Sequence, residues 1–266
     1  MNQEIKFYKY QGCGNDFILI DDRQNSITLT TGQIEKLCDR RFGIGADGLM
    51  LLRSKEGYDF QMVYYNADGN ESTMCGNGGR CITRFASDLG ITFPKYNFLA
   101  IDGPHDATIE ANGIVNLKMI DVHQVASFPG FKFLNTGSPH VVMPVTDILN
   151  IDVYNKGKEI RYSDTFTPGG TNVNFTEVTD NNTIFVRTYE RGVEDETLSC
   201  GTGVTACALM QADLSNNAEP QTVNVKTRGG NLKVMFTAEN EQTFSNIWLC
   251  GPAEKVFEGN IQIQGL

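Results

Sequence analysis

The sequence predicts a strand-rich protein built of two similar halves, each with a helix that begins at a cysteine. The first observation is that apolar residues mostly alternate with a period of two, as in half-buried strands. The second is an internal repeat. Residues 65–78 and 189–203 both run from a tyrosine at the end of a strand, through a partly acidic loop, into Cys-Gly-X-Gly. The repeat places the division between the halves near residues 120–135.

Strand patterns continue along both halves, and helix patterns are few. Asn112-Gly113 joins two of the strand patterns, and this dipeptide is typical of a hairpin turn. Strands are predicted at residues 16–21, 59–65, 107–110, 114–119, 140–143, 172–178, 184–189, 223–226, 232–236 and 244–249. Helices are predicted at residues 31–41, capped by Thr30 or Thr31, and within residues 146–159.

Composition and charge argue against several classes of function. The chain of 266 residues can bury a core without disulfides or metal, and its longest apolar runs, 48–52 and 204–210, are too short for a bilayer span. The N-terminus lacks the basic and apolar segments of a secretory signal, so we expect a soluble, cytoplasmic protein. A formal net charge of −10 disfavours nucleic acid or an anionic membrane as a partner, because both attract basic surfaces.

The seven cysteines are an odd number without a disulfide framework spacing, which indicates reduced thiols. No Cys-X-X-Cys is present and there are only three histidines, so a zinc site is not expected. A buried cysteine usually serves as a small hydrophobic residue. Cys13, near Asn15, is open to either a structural or a functional interpretation. The predicted core cysteines are Cys38, Cys81, Cys207 and Cys250.

Cys75 and Cys200 differ because each precedes Gly-X-Gly at the start of a helical pattern. After Cys75 the apolar residues keep a helical period up to Gly90, a suitable C-terminal cap. After Cys200, residues 204–210 are apolar on nearly all sides, which indicates a buried helix. The partial positive charge at a helix N-terminus favours a thiolate and lowers a thiol pKa from about 8.5. The glycines leave backbone N–H groups accessible to a carboxylate.

Two such thiols on one substrate favour a reaction that inverts an amino-acid α-carbon. A single base tends to return the proton to the face it left, whereas a thiolate and a thiol on opposite faces exchange it. A Cys/His hydrolase with His140 as the base is an alternative. It leaves the second Cys-Gly-X-Gly without a role.

The ordered set of motifs resembles that of the diaminopimelate epimerases, and the resemblance covers nearly the whole chain. The matching segments are 12–17 (GCGNDF), 41–48 (RFGIGADG), 66–69 (NADG), 75–78 (CGNG), 137–140 (GSPH), 172–175 (NVNF) and 189–192 (YERG). Enzymes of this family interconvert LL- and meso-2,6-diaminopimelate without a cofactor, on the route to lysine and peptidoglycan precursors. No cofactor and no metal are therefore expected.

The resemblance implies a role for each site residue. Cys75 and Cys200 would be the acid/base pair, and His140 and Glu190 would adjust their pKa values. The α-carboxylate would bind the backbone amides of Gly76, Asn77, Gly201 and Thr202. The distal end of diaminopimelate would contact Asn15, Asn66, Asn172 and Arg191. These residue types suit the task, because Arg binds carboxylates in bidentate fashion and Asn amides both donate and accept. Asn174 competes with Asn172 for its role.

The resemblance also implies the fold class, α+β with two pseudo-symmetric domains. Each would be a curved, mixed, barrel-like β-sheet wrapped around a central α-helix, with the active site in the interdomain cleft. The first domain would span residues 1–121, the second residues 122–254, and a strand at about 255–266 would return to the first. The helices after the two cysteines would be the central ones, and the protein would be a homodimer.

Two departures from the family pattern concern recognition of the distal end. The family commonly has Asn-Pro-His where this chain has Ser138-Pro139-His140, and some members carry a polar side chain where Gly48 stands. A proline or hydroxyproline racemase of the same architecture is one alternative function, although Arg191 favours a longer substrate with a polar far end. A non-catalytic amino-acid-binding protein is another.

Overall fold

The computed structural model describes residues 3–216 and 219–263. Its contacts divide the chain into two compact units. The first unit contains the residues up to Leu117 and those from Pro252 onward, and the second unit contains Lys118–Gly251. The first unit is therefore assembled from two separate parts of the chain.

The first unit is a mixed sheet. Its strands are β1 (Gln3–Gly12), β2 (Asn15–Asp22), β3 (Gly48–Arg53), β4 (Phe60–Asn66), β5 (Tyr96–Ala100), β6 (Gly103–Ile109), β7 (Val115–Lys118) and the C-terminal strand β17 (Glu254–Ile263). Along the chain, successive pairs from β1 to β7 are antiparallel, parallel, antiparallel, parallel, antiparallel and antiparallel. β17 lies antiparallel to β1 on the other side, with Gln3 opposite Ile263.

Helix α2 (Gly76–Asp88) is the central helix of the first unit. It contacts β1, β2, β3, β6 and β17, so the sheet encloses it. Ile82, Phe85 and Ala86 are fully buried, and the ring of Tyr10 packs against Phe85 with centroids 5.6 Å apart. Gly90, with φ +86°, follows the end of the helix, as the sequence predicted.

Helix α1 (Thr31–Cys38) begins with a capping box between Thr30 and Gln33. Its buried face is formed by Ile34, Leu37 and Cys38. The helix ends three residues before the predicted limit, because the next residue, Asp39, is extended and its carboxylate accepts the N–H groups of Arg41 and Phe42.

The second unit repeats this arrangement. Its strands are β8 (Val125–Phe128), β9 (Phe131–Asn135), β10 (Pro139–Pro144), β11 (Asn172–Asp180), β12 (Thr183–Glu190), β13 (Asp195–Thr197), β14 (Pro220–Thr227), β15 (Gly230–Ala238) and β16 (Phe244–Gly251). With the short strands β8 and β13 set aside, successive pairs from β9 to β16 are again antiparallel, parallel, antiparallel, parallel, antiparallel and antiparallel. The two sheets therefore share one order of strand pairing.

Helix α4 (Gly201–Leu209) is the central helix of the second unit and contacts β10, β11, β12, β14, β15 and β16. All its residues except Thr202 are buried, which confirms the predicted apolar helix. Helix α3 (Val153–Arg161) begins inside the predicted range and ends two residues beyond it. Asp147 is in the left-handed region at φ 59°, and a single 3₁₀ turn (Ile148–Asn150) precedes Asp152, whose carboxylate caps α3 by accepting the N–H of Asn155.

The predicted fold class is confirmed at the level of each unit: a mixed sheet surrounds one central helix, and the two units are pseudo-symmetric. The predicted strands all coincide with observed ones, which extend one to four residues further at some ends. In the part of the chain that the structure describes, no helix is long and apolar enough to cross a membrane.

The central position of α2 generates a prediction about stability. Phe85→Ala removes a fully buried ring from the helix core and should lower the free energy of unfolding by about 3–5 kcal/mol. Urea denaturation followed by circular dichroism measures this loss. Phe42→Ala is the control, because the Phe42 side chain is 82% exposed and its loss should change stability by about 0.5 kcal/mol or less. Similar losses in the two variants would contradict the assignment of α2 as the core of the first unit.

Candidate functional site

Cys75 is the N-cap residue of α2, as the sequence predicted. Its backbone is extended (φ −106°, ψ 150°), and its Sγ accepts the backbone N–H of Gly78 at 3.2 Å. The side chain is half-buried, whereas Gly76 and Asn77 in the first turn of the helix are buried. The first backbone N–H groups of a helix point along the helix axis and have no acceptor within the helix. A first turn of this kind can therefore bind an anion.

The side chain of Arg80 hydrogen-bonds to the first turn of α2 and holds it in place. This role was not predicted from the sequence. The Arg80 side chain is completely buried, donating from Nη1 to the Gly76 carbonyl and from Nη2 to Oδ1 of Asn77, each at 3.0 Å. A third donor, Nε, lies 3.5 Å from the Pro252 carbonyl. The guanidinium thus fixes the backbone and one side chain of the turn. The signal in the sequence is an arginine that directly follows the small residues of the first turn, Gly78 and Gly79.

Asn15 is joined to this turn by a row of hydrogen bonds. Its Oδ1 accepts Nδ2 of Asn77 at 3.3 Å, and its Nδ2 donates to Oδ2 of Asp47 at 2.6 Å. Asp47 is held in turn by Arg40, whose Nη2 lies 2.7 Å from Oδ1. The structure therefore brings Asn15 and Asn77 together and adds Asp47, which sequence reasoning did not select.

Asn66 lies at the end of β4 and is exposed. Its backbone forms the following turn, with its carbonyl accepting the N–H of Gly69 at 2.9 Å. It is paired across the sheet with Gly48, the position where some family members carry a polar side chain. A Cβ atom at Gly48 would lie 2.5 Å from the Tyr64 ring and 2.6 Å from the Tyr65 carbonyl. The space for a side chain at this position is filled by Tyr64.

Cys200 is the N-cap residue of α4, in the place that Cys75 occupies in the first unit. It is 7% exposed, and its Sγ lies 3.5 Å from the hydroxyl of Thr202. The Thr202 backbone is held by Thr136, whose hydroxyl donates to the Thr202 carbonyl at 2.8 Å. The prediction that both cysteines lie at helix N-termini is confirmed.

His140 lies on β10, next to the first turn of α4, and is completely buried. Its Nε2 is 2.8 Å from Oγ1 of Thr202, and its Nδ1 is 3.1 Å from Nδ2 of Asn174. Burial, and then the positive charge of Arg191, lower the pKa of His140 to about 3. The imidazole is therefore neutral near pH 7. Thr202 lies between His140 and the thiol of Cys200.

Asn172, Glu190 and Arg191 form the rest of the site in the second unit. Asn172 is buried; its Nδ2 donates to the Pro139 carbonyl at 3.0 Å and its Oδ1 accepts the Arg191 N–H at 2.9 Å. Glu190 ends β12 and is half-buried, and the Arg191 side chain is exposed. Asn172 thus orients the backbone of Arg191, while Asn174 contacts His140.

Glu194, which was not selected from the sequence either, clamps the loop between Arg191 and Cys200 through hydrogen bonds. Its backbone is left-handed, with φ 59°, and its carboxylate accepts from the Gly192 N–H at 2.9 Å, from Arg161 at 2.9 Å and from the Tyr162 hydroxyl at 2.8 Å. Burial disfavours the charged form, but these hydrogen bonds outweigh it and lower the pKa of Glu194 to about 2. The carboxylate is ionised over the whole physiological range.

The remaining cysteines are all buried, as predicted for four of them: Cys13, Cys38, Cys81, Cys207 and Cys250. Burial raises the pKa of Cys38 to about 12 and raises the pKa of Cys81 and Cys207 as well. Cys13, the open case, lies 3.9 Å from Nη2 of Arg80, and burial raises its pKa too. Within residues 3–216 and 219–263, no group of three or more His, Cys, Asp or Glu side chains is arranged to hold a metal ion.

Sequence comparison identifies the family. Residues 7–122 and 132–256 match the family model described as diaminopimelate epimerase. The chain belongs to the diaminopimelate epimerase family. A relative from Flavobacterium psychrophilum named diaminopimelate epimerase is 55% identical over 259 residues, covering 97% of this chain and 100% of the relative. One from Chlorobaculum tepidum with the same name is 43% identical over 260 residues, covering 95% and 99%. As a member of this family of epimerases, the protein is an isomerase.

Solved structures with the same fold come from several families. A phenazine biosynthesis protein of the PhzF family from Bacillus anthracis has a TM-score of 0.77 at 17% identity, covering 98% of this chain and 100% of that chain. A hydroxyproline epimerase from Agrobacterium vitis has a TM-score of 0.68 at 12% identity, covering 98% and 93%. At these identities the likeness shows the fold of the diaminopimelate epimerase family and nothing about substrate.

The Glu194 clamp generates a prediction about pH and stability. The pKa of Glu194 is depressed in the folded protein, so its contribution to stability is complete above the ordinary value near 4.5 and is lost as the pH falls from there toward 2. Glu194→Gln should therefore melt at a lower temperature than the parent at pH 7, and the difference should shrink toward pH 3. Thermal melting between pH 3 and 7 measures it, with Glu241→Gln, at an exposed acid, as the control. A difference that stays constant over this range would show that the Glu194 charge has no part in the clamp.

Proposed function

We propose that the protein interconverts LL-2,6-diaminopimelate and meso-2,6-diaminopimelate by two-base proton transfer, with Cys75 and Cys200 as the acid/base residues. The observation that carries the proposal is the pair of cysteines at the N-caps of the two matching central helices. Membership of the diaminopimelate epimerase family supports the substrate. An α-carbon is inverted when one thiolate removes its proton and the other thiol supplies a proton to the opposite face. No cofactor takes part in this scheme.

We assign the α-carboxylate of the substrate to the first turns of α2 and α4. The binding groups would be the backbone amides of Gly76, Asn77, Gly201 and Thr202. Helix N-termini favour anions through their backbone N–H groups and the helix dipole. The buried guanidinium of Arg80 adds a positive charge behind the first of these turns.

The distal end of the substrate is assigned to Asn15, Asn66, Asn172 and Arg191. Asp47 fixes the orientation of the Asn15 amide, and the Pro139 carbonyl and the Arg191 N–H fix that of Asn172. Two oriented amides cost little conformational entropy on binding, and an exposed arginine can bind a carboxylate through two parallel hydrogen bonds. His140 and Glu190 are assigned to adjusting the thiols. The cytoplasmic location and the homodimeric state remain predictions.

A proline or hydroxyproline racemase of the same architecture is the second candidate, and a hydroxyproline epimerase shares this fold. Its substrate would carry one carboxylate and no distal amino-acid group. Arg191 and the oriented asparagines favour diaminopimelate instead. The third alternative, a non-catalytic amino-acid-binding protein, is set aside because the chain belongs to a family of epimerases.

Deuterium exchange tests the reaction and the substrate together. Purified protein in reducing buffer made with deuterium oxide should convert LL-diaminopimelate to the meso isomer with one solvent deuterium at the inverted α-carbon. Proline and hydroxyproline, assayed in parallel, should show no exchange. Exchange of proline without exchange of diaminopimelate would select the second candidate, and no exchange of any substrate would reject catalysis.

Replacement of each catalytic cysteine gives a second prediction. Cys75→Ser and Cys200→Ser should each lower epimerisation by about 10²-fold or more, the usual contribution of general acid/base catalysis. Exchange at one face of the α-carbon can persist in either variant, because one thiol remains. Cys38→Ala is the matched control, since Cys38 is a buried thiol of the α1 core. Parent activity in either serine variant would remove that cysteine from the mechanism.

A further inference from the structure

A buried row of side chains leads from β11 to the thiol of Cys200. Asn174 is completely buried, and its Nδ2 lies 3.1 Å from Nδ1 of His140. On the other side of the ring, Nε2 lies 2.8 Å from the Thr202 hydroxyl, which lies 3.5 Å from Sγ of Cys200. Because a neutral imidazole has one donor and one acceptor nitrogen, the direction of the first contact fixes that of the second and leaves the proton of the Thr202 hydroxyl available to Sγ.

The surroundings of Asn174 settle which of its amide atoms faces His140. Nδ2 also lies 2.8 Å from the carbonyl oxygen of Val141, which can only accept. The Asn174 Oδ1 accepts from the hydroxyl of Thr188 at 2.9 Å. An amide turned the other way would place two oxygens against each other in a buried site, at the cost of a hydrogen bond. Asn174 therefore donates to Nδ1 of His140.

A donor at Nδ1 selects one tautomer of the neutral ring. Nδ1 must carry the lone pair, so the proton is on Nε2 and is donated to Oγ1 of Thr202. The Thr202 oxygen accepts this hydrogen bond from His140. The proton of the Thr202 hydroxyl is then available for a hydrogen bond to Sγ of Cys200. The Thr136 hydroxyl holds the Thr202 carbonyl, which keeps this side chain beside the thiol.

The first unit provides a natural comparison. In the β2–β3 ladder, the first parallel pair is Phe17 with Gly48, and the first pair of the β10–β11 ladder is His140 with Asn172. Two residues further along, Met50 corresponds to Asn174. The first unit thus has two apolar residues, Phe17 and Met50, where the second has a buried polar pair. Burying a polar pair costs more free energy than burying an apolar pair unless all its hydrogen bonds are made. The presence of His140 and Asn174 at these positions therefore suggests that they have a function.

The glycine of the turn is adapted to this pair. A Cβ atom at Gly203 would lie 2.2 Å from Oδ1 of Asn174 and 3.3 Å from the His140 ring. The last glycine of the second Cys-Gly-X-Gly is therefore needed for the close approach of Asn174, in addition to any role in binding an anion.

We propose that Asn174 is a positioning residue that holds His140 as the Nε2–H tautomer, so that the Thr202 hydroxyl donates a hydrogen bond to Sγ of Cys200. As a contribution to catalysis, this inference rests on the proposed function, in which Cys200 is an acid/base residue. A hydrogen bond donated to sulfur stabilises the thiolate over the thiol. Among charged groups, Arg191 acts on His140, and the Cys200 thiol is close enough to raise the pKa of Cys207.

The tautomer can be observed directly in the unmodified protein. The chain has three histidines, so long-range ¹H–¹⁵N spectra of ¹⁵N-labelled protein resolve each ring, with His105→Gln and His123→Gln used to assign His140 by elimination. We expect a neutral His140 ring with the proton on Nε2 at every pH between 5 and 9. A proton on Nδ1, or a ring that titrates near pH 6.5, would overturn the proposal.

The hydrogen bond to sulfur is tested by the rate at which Cys200 is alkylated. Iodoacetamide labelling at pH 7, quantified for the peptide containing Cys200, should be about fivefold slower in Thr202→Val, the effect of losing one ordinary hydrogen bond. Thr202→Ser should restore most of the rate because it restores the hydroxyl. Thr205→Val is the matched control, since it removes a buried hydroxyl that donates to the Gly201 carbonyl on the same helix. An unchanged rate in Thr202→Val would refute the hydrogen bond.

Asn174→Leu tests the positioning step itself. Loss of the donor at Nδ1 should shift His140 toward the Nδ1–H tautomer in the ¹⁵N spectra and should slow Cys200 alkylation about as much as Thr202→Val does. An unchanged tautomer together with an unchanged alkylation rate would remove Asn174 from the row. The spectra and the labelling use no substrate, so their outcome is independent of whether diaminopimelate is turned over. Folding of each variant is checked by circular dichroism, and the spectra of the parent test the tautomer even if a variant fails to fold.

Discussion

The burial of α2 over its first two turns, and of α4 over nearly its whole length, is the constraint on which the rest of the structure depends. Each helix packs against several strands of its own unit, which surround it. The residue before the first turn is a cysteine in both cases. The packing of these helices in the core therefore also places the two thiols and the backbone amides of the first turns. A loss of packing around Phe85 or Val204 would therefore shift the adjacent thiol as well as reduce stability.

The two thiols have different immediate neighbours, even though the strand pairing of the two units is the same. The sulfur of Cys75 accepts a backbone N–H from Gly78 in its own helix, whereas that of Cys200 lies beside the hydroxyl of Thr202. The difference begins at the matching strand positions of Phe17 and His140, one apolar and one polar. Pseudo-symmetry of the backbone thus does not extend to the hydrogen bonds, which allows the two thiols to be adjusted separately.

Local patterns were sufficient to predict ten of the strands and the helices after the two cysteines. Each depends on residues close together in the chain, such as the apolar period around Phe85 or the Cys-Gly-X-Gly turns. The start of α3 could not be placed within the predicted range, because Asp147 and Asp152, which look like ordinary helix residues, form a left-handed turn and a cap. Arg80, Asp47 and Glu194 were missed for another reason. Each acts through a contact that the fold creates, and a single sequence does not show that Asp47 is adjacent to Asn15, or that Arg161 is adjacent to Glu194.

The pairing of β17 with β1 has a consequence for the order in which the protein is made. The first unit lacks one edge of its sheet until Pro252 and the residues after it have been synthesised, whereas Lys118–Gly251 is continuous in the chain. During translation the second unit can therefore fold while β1 still exposes an unpaired edge, which is a site for aggregation. Charged residues on β1, among them Glu4 and Lys6, would make that nascent edge less adhesive until the last strand leaves the ribosome.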